Sequence, residues 1–289
     1  MSEGGDETLE QARARNVRDA LAEDIGCCDW TGLLVPAGQR LRADVVLREQ
    51  AVLCGREWFE DCIHALDRDA RVAWEFDEGA LVEPASIVCR IECEARALLA
   101  AERPALNFLQ TLSAVATQTR RHVEAIAGAS TNSRGTAILD TRKTLPGLRL
   151  AQKYAVRVGG GKNHRLGLYD GILIKENHIA AAGGVTAALK AALALGAGVS
   201  IQIEVETIEQ LHEALAAGAK SILLDNFTLA RMREAVAATA ARAELEVSGG
   251  VELAQVREIA ATGVDRISIG RLTKDVKAVD YSMRVTERL

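Results

Sequence analysis

The alternation of hydrophobic and polar positions changes period along the chain, and those changes divide it into parts. Residues 7–22, ETLEQARARNVRDALA, repeat apolar positions at helical spacing in a polar context and predict an amphipathic helix that ends at the acidic turn Glu23-Asp24. From about 40 to 95 the period drops to two in LRADVVLRE, AVLCG, RVAWEFDEG and SIVCRIECEA, with one helical run, REWFEDCIHAL, among them. Strands with a single crossover helix predict a small α+β layer domain. A long helix is expected to start at Glu102-Arg103-Pro104, proline suiting a first helical turn, with Ala105, Phe108, Leu109, Leu112, Val115 and Ala116 as its apolar stripe.

From about residue 137 short β-branched runs alternate with alanine-rich helices: TAILD, GILIKEN, SIQIEVE, KSILLDN, ELEVSGG and DRISIG. Six strand–helix repeats predict parallel strands with right-handed crossovers, the wall of a barrel two units short of eight and therefore open. The expected class is α/β, an open, about six-stranded α/β barrel with an N-terminal α+β sandwich domain. The expected boundaries are 1–116 for the sandwich, rejoined by 276–289, and 117–275 for the barrel.

The six runs end in polar residues: Asp140 with Thr141-Arg142-Lys143, then Lys175, Glu204 with Glu206, Asp225, Ser248-Gly249-Gly250, and Gly270. In (β/α) barrels catalytic groups come from the C-terminal strand ends, so this pattern gathers them on one rim. Ser248-Gly249-Gly250 and Ser268-Ile269-Gly270 close the last two strands, where barrels often hold a phosphate on backbone N–H groups. A glycine after a strand is also an ordinary turn, but two such loops in succession favour phosphate. Glu204 and Asp225 end the preceding pair of strands, suited to ribose hydroxyls or to Mg²⁺; the bland alternative is a pair of rim salt bridges.

Composition narrows the class. The chain of 289 residues is 48% hydrophobic and only 3% aromatic, enough apolar surface for a real core packed through small aliphatic side chains. A pI near 5.7 gives no extended positive surface for nucleic acid. No run approaches a membrane span, and the opening MSEGGDETLE lacks a signal pattern, so the expectation is a soluble cytoplasmic protein. The six cysteines, Cys27, Cys28, Cys54, Cys62, Cys89 and Cys93, show no zinc spacing. Cys89 and Cys93 share one strand face with Ile87 and Ile91, which predicts buried reduced thiols, and His64 reads as a packing residue.

Charge is concentrated in one place. Between Asp140 and Ile179 eight basic residues stand against three acidic ones, a local +5 in a chain of net charge −5. Such an island suggests a polyanionic ligand, with Gly159-Gly160-Gly161 allowing close backbone approach. Arg149, Lys153 and Arg157 recur at i, i+4 and i+8 and read as a solvated helix face. Arg142, Lys143, His164, Arg165 and Lys175 do not fit helical spacing and are the candidates, the arginines suited to bidentate carboxylate contacts.

The segments DTRKT, PGLR, KYAVRVGGGKNHR and ILIKENHI resemble the hallmark segments of the quinolinate phosphoribosyltransferase family, and the resemblance runs from roughly residue 15 to the C-terminus. It implies transfer of phosphoribose from 5-phosphoribosyl 1-pyrophosphate (PRPP) to quinolinate with loss of CO₂, Mg²⁺ accompanying PRPP and no organic cofactor. It implies quinolinate binding by Arg103, Thr141, Arg142, Lys143, His164, Arg165 and Lys175, with Lys143, Lys175, Glu204 and Asp225 catalytic. PRPP and its phosphate fall to Glu204, Asp225, Ser248, Gly249, Gly250, Ser268, Ile269, Gly270 and Lys274. Arg103, in ERPALNFLQTLSAVAT, matches an arginine that enters the neighbouring subunit's site, which implies a homodimer or dimer-based oligomer. Two departures are visible: Leu145 stands where a threonine is frequent, and GRLTKD carries Lys274 where some relatives have histidine.

The competing readings are a paralogous phosphoribosyltransferase with another acceptor, such as the molybdenum-transport-associated relatives, and a non-catalytic binder of a phosphorylated metabolite. Arg103, Arg142, His164 and Arg165 supply the cations that two carboxylates need. Lys143, Lys175, Glu204 and Asp225 retain the leaving-group side that a mere binder would lose.

Overall fold

The computed structural model describes residues 7–289; the acidic opening, residues 1–6, lies outside them. The described residues divide into two compact units, one of residues 7–118, 144–159 and 273–289 and one of residues 119–143 and 160–272. Among the described residues no helix is long and apolar enough to cross a membrane.

The first unit opens with α1 (Leu9–Ile25), started by a capping box in which Thr8 Oγ1 accepts from the Gln11 N–H and the Gln11 side chain accepts from the Thr8 N–H. Then come β1 (Arg40–Leu47), β2 (Ala51–Val52), α2 (Arg56–Leu66), β3 (Arg71–Trp74), β4 (Leu81–Val82), β5 (Ile87–Glu94) and α3 (Ala95–Ala125), whose residues from 119 on count with the second unit. The last strand of the chain, β12 (Tyr281–Arg288), pairs antiparallel with β1 in a four-stranded sheet of order β12-β1-β5-β3, and β2 pairs with β4. One face of β1, Leu41, Ala43, Val45 and Leu47, joins Cys89, Ile91 and Cys93 of β5 in the core around Trp58 and Phe59. Burial pushes the thiols of Cys62 and Cys93 up to about 12 and that of Cys89 higher still, so these cysteines pack as protonated apolar groups.

Two expectations need correction here. Pro104 does not begin a helix: α3 starts nine residues earlier at Ala95, where the Glu94 carboxylate accepts the Ala97 N–H, and Pro104 lies inside it. Proline in a helix interior costs about 3 kcal/mol. Leu98, Leu106, Leu109 and Leu112, at most 1% exposed, span the proline on one face. Each contributes about 1.5–3 kcal/mol of burial, so the stripe outweighs the lost hydrogen bond. The second correction concerns α4 (Arg149–Val158), which packs against α1 in this unit. Arg157 is exposed, but Lys153 is 0% exposed, so the basic row is not a solvated face.

The second unit contains β6 (Ala137–Leu139), β7 (Gly171–Ile174), α5 (Glu176–Ala182), α6 (Val185–Ala194), β8 (Ser200–Val205), α7 (Ile208–Ala216), β9 (Ser221–Asp225), α8 (Leu229–Thr239), β10 (Glu244–Ser248), α9 (Val256–Ala260) and β11 (Arg266–Ser268). A short α10 (Arg271–Lys274) follows. All six expected strands form, all parallel, in the order β6-β11-β10-β9-β8-β7. β6 and β7 do not pair, so the α/β barrel is open. Residues around Lys162 lie along β6 instead, with the Lys162 N–H donating to Ile138 O at 2.8 Å. In the glycine run, the Gly159 N–H closes α4 on Ala155 O and Arg157 O, and Gly160 turns the chain at φ +91°.

Candidate active site

Strand parity builds the site. Ile172 and Ile174 of β7, Ile201, Ile203 and Val205 of β8, Ile222 and Leu224 of β9, Leu245 and Val247 of β10 and Ile267 of β11 belong to the apolar core. Because side chains alternate, Gln202 and Glu204, Ser221 and Asp225, Glu246 and Ser248, and Ser268 all project from the other face. At the ends of β7 and β8, Lys175 Nζ lies 3.1 Å from Glu204 Oε2. Burial raises the Glu204 carboxyl above its ordinary range; the Lys175 hydrogen bond and charge oppose this, and the charge of Asp225 adds to it. Two carboxylates whose charges act on each other at neighbouring strand ends are chemically suited to a cation.

The next strand end is fixed by backbone sterics. Asn226 adopts φ +56°, donates its N–H to Ser248 O at 3.1 Å, and donates Nδ2 to Asp225 Oδ2 at 2.8 Å. Gly249 sits opposite at φ +110°, where a Cβ would stand 2.2 Å from Asn226 Oδ1. Only glycine fits, and the tight turn leaves Ser248-Gly249-Gly250 at the end of β10 beside an oriented Asp225.

The basic side is assembled by the segment beside β6. Buried Asp140 accepts the His164 N–H at 2.8 Å and Asn163 Nδ2 at 2.6 Å, holding 163–165 against the strand end. Arg165 Nη1 donates to Gly171 O at 2.9 Å, and Asp170 closes the following loop on the N–H groups of Leu166 and Gly167. Burial, and next the charge of Arg142, hold the Arg165 guanidinium below the usual arginine range, with Asp170 opposing. Two guanidiniums that repel each other on a rim mark a place for an anion. Thr141 Oγ1 accepts the Lys143 N–H at 3.0 Å, and the Lys143 side chain crosses over Gly270, whose absent Cβ would lie 2.9 Å from Lys143 Cδ.

Models described as "Quinolinate phosphoribosyl transferase, N-terminal domain" and "Quinolinate phosphoribosyl transferase, C-terminal domain" match residues 29–113 and 115–284. The chain belongs to the quinolinate phosphoribosyltransferase family. It is 41% identical over 265 residues to a probable nicotinate-nucleotide pyrophosphorylase [carboxylating] of Bacillus subtilis, covering 91% of this chain and 90% of that protein. It is 41% identical over 275 residues to the nicotinate-nucleotide pyrophosphorylase [carboxylating] of Mycobacterium leprae, 92% of this chain and 95% of the relative. The solved nicotinate-nucleotide pyrophosphorylase of Francisella tularensis superposes with a TM-score of 0.91 at 40% identity, over 96% of this chain and 97% of that one.

For a chain of this family, the second unit brings together Thr141, Arg142, Lys143, His164, Arg165, Lys175, Glu204, Asp225, Ser248, Gly249, Gly250 and Gly270 at strand ends or beside them. The other expected residues are placed differently. Ile269 is 2% exposed in the core and its N–H donates to Leu139 O at 2.9 Å, so that N–H is already engaged. Ser268 is buried, its hydroxyl donating to Val247 O at 3.4 Å. Arg103, exposed on α3, and Lys274, 3.6 Å from Asp275, belong to the first unit. Sequence reasoning placed Asp140 on the rim without giving it a role, and passed over Asn226, Gln202 and Glu246. For the last two a signal existed: SIQIEVE and ELEVS carry polar residues two positions before Glu204 and Ser248, on the same strand face.

Proposed function

We propose that this protein transfers phosphoribose from PRPP to the ring nitrogen of quinolinate and releases CO₂, giving nicotinate mononucleotide and pyrophosphate, a step of NAD biosynthesis. The observation that carries this reading is the pairing, on one sheet, of two mutually repelling guanidiniums, Arg142 and Arg165, with a lysine–carboxylate end at Lys175, Glu204 and Asp225. The first suits a dicarboxylate, and the second a sugar with a departing pyrophosphate.

Arg142 and Arg165 bind the acceptor's two carboxylates, with Arg103 supplied by a partner subunit of a homodimer. Held this way, the ring nitrogen points at ribose C1. As the C1–O bond to pyrophosphate breaks, positive charge develops on the sugar, and Glu204 and Asp225 stabilise it while binding the ribose hydroxyls. Lys143 and Lys175 take the negative charge that builds on the leaving group. Glu204 and Asp225 also fit Mg²⁺ held together with PRPP, which would supply further charge neutralisation on pyrophosphate. Ser248, Gly249, Gly250 and Gly270 hold the 5-phosphate. Once the nitrogen is quaternary, its charge accepts the electron pair left on C2 when the C2–carboxylate bond breaks, and a proton then replaces CO₂ at C2. No covalent enzyme intermediate is required, and the expected setting is the cytoplasm.

The test is production of nicotinate mononucleotide and CO₂ from quinolinate, PRPP and Mg²⁺, beside nicotinate as the alternative acceptor. Turnover of quinolinate alone, sharply reduced by Arg103→Ala, is expected. Folded protein that turns over neither acceptor refutes the reading, and a strictly monomeric active protein refutes the role given to Arg103.

A further inference from the structure

The ring of His164 is engaged by the protein at both nitrogens. Its Nδ1 accepts the backbone N–H of Arg165 at 2.8 Å, and its Nε2 lies 3.0 Å from Gln202 Oε1. An acceptor Nδ1 requires the neutral ring to carry its proton on Nε2, where that proton is donated to the Gln202 carbonyl. Gln202 in turn donates Nε2 to Glu246 Oε2 at 3.0 Å and to Ser221 Oγ at 3.2 Å. Glu246 is 1% exposed; its other oxygen, Oε1, has no hydrogen-bond partner and lies 3.5 Å from His164 Nε2. A carboxylate only accepts. Were the Gln202 amide reversed, its carbonyl would face Glu246 oxygen to oxygen, and its NH₂ would face the proton on His164.

We propose that Glu246 and Gln202 are positioning residues: Glu246 fixes the Gln202 amide, Gln202 fixes the Nε2–H form of His164, and His164 Nδ1 thereby holds the Arg165 backbone at the acceptor end of the site. Each link follows from donor and acceptor count. The buried carboxylate determines which way the amide points, the amide carbonyl determines which imidazole nitrogen is protonated, and the Nδ1 lone pair accepts the backbone N–H of Arg165. Asp140 holds the same segment from the other side through the His164 N–H, so residues 164 and 165 are clamped by two buried acids, one directly and one through two side chains. His164 thus acts through Arg165. The consequence for quinolinate rests on the function proposed above; the tautomer does not.

The experiment is ring ¹⁵N spectroscopy on the ligand-free, full-length protein labelled at histidine, with His164 assigned by loss of its signals in His164→Gln. Wild type is expected to show His164 as Nε2–H alone. In Glu246→Gln, which keeps shape but lets the residue donate, the Nδ1–H form is expected to appear. The same variant should raise the KM for quinolinate by about tenfold or more, with kcat and the KM for PRPP within about twofold. The exchanged pair Gln202→Glu/Glu246→Gln restores an acceptor facing His164 and should recover both the Nε2–H form and the KM; a loss due only to weakened folding would not be rescued. An Nδ1–H ring in wild type, or Glu246→Gln with tautomer and KM unchanged, overturns the proposal. Because the tautomer is read without substrate, an enzyme inactive toward quinolinate would refute the proposed function while leaving the relay standing on its spectrum.

Discussion

Gly270→Ala separates the placement of Lys143 from the stability of the fold. Gly270 does not have a positive φ, so alanine there meets no backbone strain, but its Cβ would lie 2.9 Å from Lys143 Cδ. Carbon atoms rest at about 3.5–4.0 Å, so the lysine stem must retreat by roughly 0.6–1.1 Å. Displacement of a catalytic group by about 1 Å costs on the order of 10²-fold in rate, or about 2.7 kcal/mol of transition-state stabilisation. Since the displaced atom belongs to a flexible side chain, the fold should change by no more than about 0.5 kcal/mol. The assay is kcat/KM from pyrophosphate release, measured with a thermal melt and beside Lys143→Ala. A loss near 10²-fold with an unchanged melt is expected. Activity within about threefold of wild type, or loss of activity accompanied by a collapsed melting temperature, would refute the reasoning that the glycine exists to seat Lys143.

Three further outcomes follow from the packing. Burial raises the Glu204 carboxyl, so its charged form is carried at a net cost that appears as pH climbs from the ordinary glutamate range through the raised value. Glu204→Gln should therefore gain thermal stability relative to wild type across that window and hold the gain above it, while losing activity; an offset independent of pH would contradict this. Ser113 Oγ accepts from the Cys54 N–H at 3.0 Å, donates to Cys54 O at 3.2 Å and lies 3.0 Å from the Tyr281 hydroxyl. Ser113→Ala leaves these buried groups short of a partner and should cost about 1–3 kcal/mol in urea unfolding, with kcat unchanged. Of the six cysteines, only exposed Cys27 and half-buried Cys28 should react with a thiol reagent in the native protein, and all six after denaturation. Native labelling of Cys62 or Cys93, whose thiols burial pushes up to about 12, would show that this core opens.

Much of the architecture was legible because it rests on period. Six β-branched runs of alternating or continuous apolar character predicted six parallel strands, and all six formed with an open edge at β6 and β7. The strand-end residues were legible for the same reason, since a strand flanked by helices carries its apolar set on one face and leaves the other parity free for Glu204, Asp225 and Ser248. The start of α3 was misread because a proline is compatible with both a first turn and a costly interior position. What decided between them was the burial of Leu98, Leu106, Leu109 and Leu112, a property of what packs against the helix. Lys153 was misread likewise: spacing shows that three basic residues share a row, not whether anything covers it.

The sequence by itself determined the order of elements, the open parallel sheet and the charges that reach its ends, because these depend on the local alternation of apolar and polar residues. Only the tertiary structure decided which of those charges act on one another. The repulsion between Arg142 and Arg165, the Lys175–Glu204 pair and the path from Glu246 through Gln202 to His164 join residues far apart in sequence. Their hydrogen-bond partners are chosen by parallel strand register, and a linear pattern does not contain that register until the sheet has formed.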